Sequence, residues 1–329
     1  MFYSIIIPVY NRPDEMDELL KSLLLQTYKM FEVIIVEDGS SVSSEDIAQK
    51  YMPDLSIRYF YKPNSGPGLS RNYGAERSEG DYLIFVDSDC ILPEKYIEEI
   101  EKKLSSKAVD AFGGPDKADN SFTPIQKAIN YSMTSFLTTG GIRGGKKRLD
   151  VFYPRSFNLG VRKEVFESIG GFSNMRFGED IDFSIRILEN GYTTHLFPDA
   201  WVYHKRRTSL KKFFKQVYNS GIARISLYRK YPDKSKVVHV LPALFTLGIV
   251  VLLLLACFNL YALIPILLYA FLLFIDASIN TKSVFIGFLA IVTSFIQLIG
   301  YGCGFLFAVW KQLILKQDQT GAFEKTFYK

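Results

Sequence analysis

Apolar residues in the first hundred positions fall in short unbroken runs separated by amphipathic stretches, the pattern of buried strands alternating with surface helices. The run Tyr3 to Val9 predicts a strand, and Asp14 to Gln26, which carries Leu19, Leu20, Leu23 and Leu24, predicts a helix. The same reading gives a strand over Phe31 to Val36, a helix over Ser44 to Tyr51, a strand over Ser56 to Tyr61, a helix from Gly68 to about Glu76 and a strand over Tyr82 to Val86. This β-α-β-α rhythm predicts an α/β fold on a doubly wound, mostly parallel sheet. Ligands of such sheets sit outside the carboxyl ends of the strands.

Beyond Pro93 the pattern is less regular. It predicts a helix over Glu94 to Leu104, a short strand near Val109 to Phe112 and a helix from Pro124 to about Leu137. Gly140 to Gly145 reads as a flexible loop that either covers a substrate or connects elements. A strand over Phe157 to Val161 leads to a helix over Lys163 to Ile169 that stops at Gly170-Gly171, and Phe177-Gly178-Glu179-Asp180 opens a helix over Ile181 to Glu189. Acids at that helix start have an electrostatic reason to be there, whatever else they do.

The last third changes character. Residues 237 to 275 contain no Asp, Glu, Lys or Arg, and as one helix they would measure roughly 58 Å, about twice a bilayer core. Two crossings joined near Phe258-Asn259 fit better. Residues 283 to 310 are again free of those charges, and at roughly 42 Å as a helix they suit one tilted crossing. Three apolar segments are therefore expected, over 238–258, 261–279 and 284–310. The domain plan is a soluble α/β domain over 1–221, a basic juxtamembrane segment over 222–236, a membrane region over 237–310 and a polar tail over 311–329.

Composition and charge refine the picture modestly. The 329 residues are 48% hydrophobic and carry a net charge of only +5, but the charge is local: Lys205 to Lys236 holds eleven Lys or Arg against the single acid Asp233. A basic stretch directly before an apolar one places it on the cytosolic side of a membrane and favours anionic lipid headgroups over nucleic acid. Met1 to Tyr10 has no basic leader, so the expectation is an integral protein of the inner membrane with its soluble domain in the cytoplasm. Three crossings would put the tail on the far side, against the small excess of Lys311, Lys316, Lys325 and Lys329 over Asp318 and Glu324. Cys90, Cys257 and Cys303 form no disulfide framework.

Polar residues cluster where the predicted strands end. Pro8-Val9-Tyr10-Asn11 follows the first strand, Glu37-Asp38-Gly39-Ser40 the second and Asp87-Ser88-Asp89 the fourth. Two carboxylates one residue apart at the end of an extended chain suit a divalent cation held against nucleotide phosphates. The tripeptide by itself is equally ordinary turn chemistry. Three polar tips converging on one edge point to a nucleotide site.

These residues resemble the family 2 glycosyltransferases with the GT-A fold. The matching pieces are Ser4 to Asn11, Gln26-Thr27-Tyr28, Val36 to Ser40, Gly66 to Ala75, Phe85 to Asp89, Asn158-Leu159-Gly160 through Gly171-Phe172, Gly178-Glu179-Asp180 and His204. The resemblance spans about Ser4 to Gly221. It implies that Pro8, Tyr10, Asn11, Asp38, Arg71, Asp87 and Ser88 serve the nucleotide sugar. Asp87, Asp89 and His204 would hold Mg2+ or Mn2+, and Asp180 would be the catalytic base. Glu179 and Asn158 would shape the acceptor pocket, and Arg206 and Arg207 would receive an acceptor's lipid phosphate. The family also implies an inverting, single-displacement course and a place in polysaccharide or glycan biosynthesis.

Two positions depart from the family pattern. Glu37 stands where the first Asp of Asp-Asp-Gly-Ser is usual, and Lys215-Gln216-Val217-Tyr218-Asn219 lacks the Gln-x-x-Arg-Trp of processive synthases. The expected activity is therefore transfer of one sugar, from a donor taken to be a UDP-sugar, to a lipid-linked or membrane-proximal glycan acceptor. Two other functions stay open: a nucleotide-sugar-sensing or scaffolding membrane protein derived from a transferase, and a sugar nucleotidyltransferase. The latter calls for a glycine-rich basic loop after the first strand, which Pro8 to Asn11 is not.

Overall fold

Tyr3–Val9 (β1) is buried along its whole length because, in the computed structural model, it lies inside a sheet with helices on both faces. The structure describes residues 1–119, 121–140 and 152–317. Pro13–Leu24 (α1), Phe31–Asp38 (β2), Glu45–Tyr51 (α2), Ile57–Lys62 (β3), Pro67–Ala75 (α3) and Tyr82–Val86 (β4) follow in the predicted alternation. β1 pairs in parallel with β2 on one side and β4 on the other, and β2 pairs in parallel with β3.

The chain continues through Cys90–Ile91 (β5), Tyr96–Ser106 (α4), Ala111–Gly113 (β6), Asp116–Lys117 (β7), Pro124–Thr134 (α5) and Phe136–Thr139 (α6). Asn158–Arg162 (β8), Lys163–Ile169 (α7), Glu179–Glu189 (α8), Thr194–Leu196 (β9), Val202–His204 (β10) and Leu210–Lys230 (α9) come next. Three apolar helices close the described chain: Leu241–Ala256 (α10), Ile264–Thr281 (α11) and Val284–Ala308 (α12). Among the described residues one seven-stranded sheet runs β3-β2-β1-β4-β8-β6-β9 and a three-stranded sheet runs β5-β10-β7. β8 is antiparallel to both its neighbours, so the mostly parallel sheet has one reversed strand in it.

Side chains alternate between two cores, as the period of two requires. Ile5, Ile7, Val33, Ile35, Ile84 and Val86 pack with residues of α1, α2 and α4 such as Leu20, Ala48 and Ile97. Ile6, Ile34, Val36, Leu83 and Phe85 face the other way, onto Ala75, Phe166 and Phe183 of α3, α7 and α8. With both layers in place, the loops at the carboxyl ends of β1, β2 and β4 are fixed by buried strands beneath them.

The first of two compact units comprises 1–119 and 152–204, and the second comprises 121–140 and 205–317. The sequence reading carries the catalytic domain through 221, whereas here α5, α6 and α9 pack with the apolar helices. The cause is close helix contact: a Cβ on Gly221 of α9 would stand 2.2 Å from the Tyr301 carbonyl oxygen, and one on Gly304 of α12 would stand 2.0 Å from that of Tyr218. Small residues let these backbones touch. The predicted helix from Pro124 to Leu137 breaks at Ser135, whose backbone is extended and whose hydroxyl accepts from the Leu137 N–H. β5, β7, β9 and β10, each two or three residues long, are too short to show a period in sequence. The Gly140 to Gly145 loop lies outside the described residues beyond Gly140.

Of the three expected apolar segments, two make helices long and apolar enough to cross a membrane, Leu260–Thr281 and Val284–Ile314. α10 has 16 residues and, at about 24 Å, falls short of a core of about 30 Å. The third expected segment is present as this shorter apolar helix.

Gly160 in β8 sits under the Phe112 ring, which stacks on Phe197 at 4.7 Å. An added Cβ would come within 2.0 Å of Phe112 Cζ. Gly160→Ala is expected to cost about 1–3 kcal/mol by overpacking, seen as a lower thermal midpoint of the detergent-solubilised chain, and Phe112→Leu in the same chain should recover part of it.

Candidate active site

The loop after β1 is set by Asn11, whose φ of 53° places it in the left-handed region. Its Oδ1 accepts from the Ser41 N–H at 2.8 Å, the Val42 N–H at 2.9 Å and the Ser41 hydroxyl at 3.0 Å. Asn11 therefore clamps the β1 and β2 loops together. Glu37 is fully buried and is held by the Ser40 hydroxyl, the Ser44 N–H at 2.8 Å and the Tyr59 hydroxyl at 3.1 Å. The departure from Asp at this position thus reaches into the scaffold beneath the loop. Asp38, also buried, accepts from Lys62 Nζ at 2.5 Å, the Ser65 N–H at 2.9 Å and the Gly66 N–H at 2.8 Å. It shapes the turn that starts α3, beside the buried Pro8 and the half-buried Tyr10.

Asp89 is buried at the next strand end and meets two basic side chains, Arg12 NH1 at 2.7 Å and His204 Nε2 at 3.1 Å. His204 arrives on β10, directly opposite Cys90 of β5, and stacks on Phe157 at 4.7 Å. Ligand atoms of Asp89, Cys90 and His204 lie within 4.8 Å of one another. Burial and the carboxylates of Asp89 and Asp87 push the Cys90 thiol well above its ordinary range. A protonated thiol is a poor ligand for a hard cation, whereas carboxylate oxygen and imidazole nitrogen suit Mn2+, and carboxylate suits Mg2+. The buried Nδ1 of His204 has no hydrogen-bond partner, which leaves this imidazole without the second hydrogen bond that usually orients a histidine ligand. The donor set fits a divalent cation through Asp89 and His204, with Asp87 two residues away.

Asp87 itself faces an arginine. Arg71, buried in α3, donates from NH2 to Asp87 Oδ1 at 2.6 Å and from NH1 to Glu179 Oε1 at 3.1 Å. Burial works against its charge, yet Asp87 and Glu179 hold the guanidinium protonated. The next residue, Asn72, ties α3 down with a paired bond, Oδ1 from the Phe172 N–H and Nδ2 to the Phe172 carbonyl, both at 2.8 Å. Gly68 leaves room for Glu179, whose Cγ would stand 3.2 Å from an added Cβ.

The two acids that open α8 are in different states. Burial, and then the charge of Asp180, push Glu179 up to about 7. Burial acts on Asp180 in the same sense, but Arg155, with Arg71 and the Ile181 N–H behind it, holds that carboxyl below its ordinary value. Arg155 Nε donates to Asp180 Oδ2 at 2.5 Å, and the Ile181 N–H donates to Oδ1 at 2.8 Å. The two neighbouring acids are thus displaced in opposite senses, Glu179 upward and Asp180 downward.

Of the residues expected from sequence, the first unit brings Pro8, Tyr10, Asn11, Asp38, Arg71, Asp87, Ser88, Asp89, Glu179, Asp180 and His204 to the strand and helix ends just described. Asn158 is spent inside the scaffold, its Oδ1 accepting from the Tyr96 hydroxyl at 2.7 Å and its Nδ2 donating to the Ala200 carbonyl at 2.8 Å. Arg206 and Arg207 belong to the second unit. There Arg206 is buried, with Nε and NH2 at 3.1 and 2.9 Å from Asn130 Oδ1. Sequence reasoning passed over Arg12 and Arg155. Arg12 adjoins the Asn11 motif and could have been found there; Arg155 carries no local signal.

A family model described as glycosyl transferase family 2 matches residues 4–170. An uncharacterized glycosyltransferase of Haemophilus influenzae is 33% identical over 220 residues, covering 63% of this chain and 70% of that protein. One of Rickettsia felis is 42% identical over 95 residues, 29% of this chain, and the match spans only 16% of that protein's length. Among solved structures, the mannosyltransferase PcManGT from Pyrobaculum calidifontis, in complex with GDP-Man and Mn2+, aligns with a TM-score of 0.60 at 16% identity, covering 94% of this chain and 87% of that one.

The state of Glu179 has a measurable effect on stability. With an ordinary value of 4.5 and a folded value of about 7, the folded chain holds a proton that the unfolded chain releases across that window, so this group's contribution falls as pH rises through it. Thermal midpoints at pH 5 and pH 7.5 should therefore fall more steeply in the native chain than in Glu179→Gln. Equal pH slopes in the two would refute the assignment.

Proposed function

The chain belongs to glycosyl transferase family 2, and from that premise we propose that it moves a single sugar from a nucleotide sugar to a hydroxyl of a lipid-linked or membrane-proximal glycan acceptor. That it is a glycosyltransferase with the GT-A fold follows from its family. The donor, the acceptor and the membrane setting are our reading. The observation that carries it is the bridge made by Arg71, which joins the metal-side carboxylate Asp87 to the acid pair Glu179–Asp180 at one sheet edge.

In this reading Pro8, Tyr10 and the turn held by Asn11 and Asp38 receive the nucleotide. The donor's diphosphate lies toward Asp87, Ser88 and Asp89. A Mg2+ or Mn2+ held by Asp89 and His204, with Asp87, would supply charge neutralisation for the departing diphosphate, a transition-state effect of several kcal/mol. PcManGT carries GDP-Man with Mn2+, which supports a nucleotide-sugar donor with a divalent cation and leaves UDP and GDP both to be tried. Asp180 takes the proton of the acceptor hydroxyl as its oxygen attacks the anomeric carbon. Attack from the face opposite the leaving diphosphate inverts that carbon. Glu179 borders the acceptor.

The two helices long enough to cross a membrane support an integral membrane enzyme, and we place it in the inner membrane with its catalytic unit in the cytoplasm. Two crossings would return the tail to that same side, where Lys311 and Lys316 satisfy the positive-inside bias. A bilayer-bound acceptor would be concentrated at such an enzyme, and Arg207, Lys211 and Lys212 are candidates for its phosphate.

The test is metal-dependent release of nucleoside diphosphate from a panel of UDP- and GDP-sugars, using membrane-reconstituted chain and extracted lipid-linked acceptors. One donor should turn over. Asp180→Asn should lower kcat by about 10²–10⁴ with nucleotide affinity unchanged, and Asp89→Asn should abolish the response to metal. Full activity in Asp180→Asn would favour a sensing or scaffolding role.

A further inference from the structure

Two adjacent acids open α8, and two arginines from different parts of the chain divide them. Arg71 of α3 takes Glu179 at 3.1 Å while holding Asp87 with its other nitrogen, and Arg155 takes Asp180 at 2.5 Å. We propose that Arg155 is the positioning residue that reserves the role of proton acceptor for Asp180 and denies it to Glu179. This rests on the reading of Asp180 as the base.

The backbone that carries Arg155 is stitched to the same helix and to the neighbouring strand. The Pro154 carbonyl accepts from the Ser184 hydroxyl of α8 at 2.6 Å, and the Arg155 carbonyl accepts from the Asn158 N–H at the start of β8 at 3.0 Å. The guanidinium is therefore aimed by the scaffold. Asp180 is buried, with 10% of its side chain exposed, whereas Arg155 keeps 38% exposed. The arginine stands at the water-facing side of the pair, where an incoming acceptor hydroxyl would also arrive.

Among the described residues, the charged groups that act most strongly on the pair come from four places in the chain. Asp180 feels Arg155 and Arg71 as cations and adjoins Glu179; Glu179 feels Asp180, Arg71 and Asp87; Arg155 feels Asp180, Glu179 and Asp116. Two neighbouring carboxyls in one buried site ordinarily share a proton, because both cannot be charged cheaply. A base that is protonated half the time is a poor acceptor for a sugar hydroxyl. Arg155 breaks the tie: it gives its contact to Asp180 at 2.5 Å, whereas Arg71 is shared between Glu179 at 3.1 Å and Asp87 at 2.6 Å, so the proton of the pair goes to Glu179 and Asp180 stays ionised. During transfer the hydroxyl O–H bond breaks with its proton passing to Asp180, the new C–O bond forms at the anomeric carbon, and the bond to the diphosphate breaks with its electron pair leaving on that group.

The experiment is the pH dependence of kcat/KM for diphosphate release with the active donor, in the native full-length chain, Arg155→Gln, Arg155→Lys and Asp180→Asn. Removing the cation should let burial and Glu179 raise Asp180, moving the acid limb up by about one pH unit or more. Arg155→Lys, which keeps a charge in reach, should fall between native and Gln, and it serves alone if the Gln variant fails to fold. An acid limb that does not move in either variant overturns the proposal, as does a rate that rises at every pH, which would make Arg155 a restraint on the site. Loss of activity in Asp180→Asn together with an unmoved limb sinks only the role of Arg155, whereas undiminished activity in Asp180→Asn sinks the base assignment beneath it.

Discussion

Carboxylates buried or half-buried at a sheet edge have to be answered by cations, and much of this catalytic unit is arranged to supply them. Arg71 serves Asp87 and Glu179, Arg12 serves Asp89, Arg155 serves Asp180 and Lys62 serves Asp38. Away from the edge the same rule holds for Glu32 with Arg58 and for Asp182 with Arg186. An unpaired buried charge would cost several kcal/mol, more than a typical domain can spare at more than one or two places. Glu37 is the exception, since it is met by neutral donors. Each pairing fixes a loop to an element distant in sequence, so the site's electrostatics and its shape are one construction.

How much of this was legible in the sequence depends on range. β1 and α7 appear with the boundaries expected from apolar runs and glycine stops, because burial on both faces leaves an unmistakable run and Gly170-Gly171 ends a helix locally. The acids at the strand ends and at the start of α8 were visible for the same reason: they sit beside strong local signals. Their partners were not. Arg155 reaches Asp180 across 25 residues and Arg71 reaches Glu179 across 108, and nothing in the spacing of charges marks one arginine among many as the match. Asn11 and Asn158 were noticed as motif members, but that their side chains are consumed by backbone and hydroxyl groups distant in sequence is a property of the folded chain.

In the second unit the reasoning from composition met a similar limit. Asp276 is an acid within an apolar helix, and it is satisfied by the Tyr131 hydroxyl at 2.6 Å and Asn280 Nδ2 at 3.0 Å. Polar groups in such helices persist when a partner faces them. Here one partner comes from α5, a helix that sequence order attaches to the catalytic domain and that packing attaches to the apolar bundle. Thr293 of α12 makes the same connection, donating to the Ala128 carbonyl at 3.0 Å. Helix length, by contrast, needs no packing argument: the sixteen residues of α10 are fewer than the roughly twenty a crossing helix uses.

Gly178, with φ of 84°, turns the chain abruptly into α8, and Glu179 and Asp180 are the first two residues of the helix that follows. Successive residues on a helix point about 100° apart. Neighbours in sequence on this turn therefore look out in different directions, and a single side chain cannot easily serve both. A dipeptide of two acids becomes, by rotation alone, a pair of chemically distinct groups, each with its own outlook on the protein. Exchanging their order would preserve composition and charge and yet hand each arginine a carboxyl of the wrong reach.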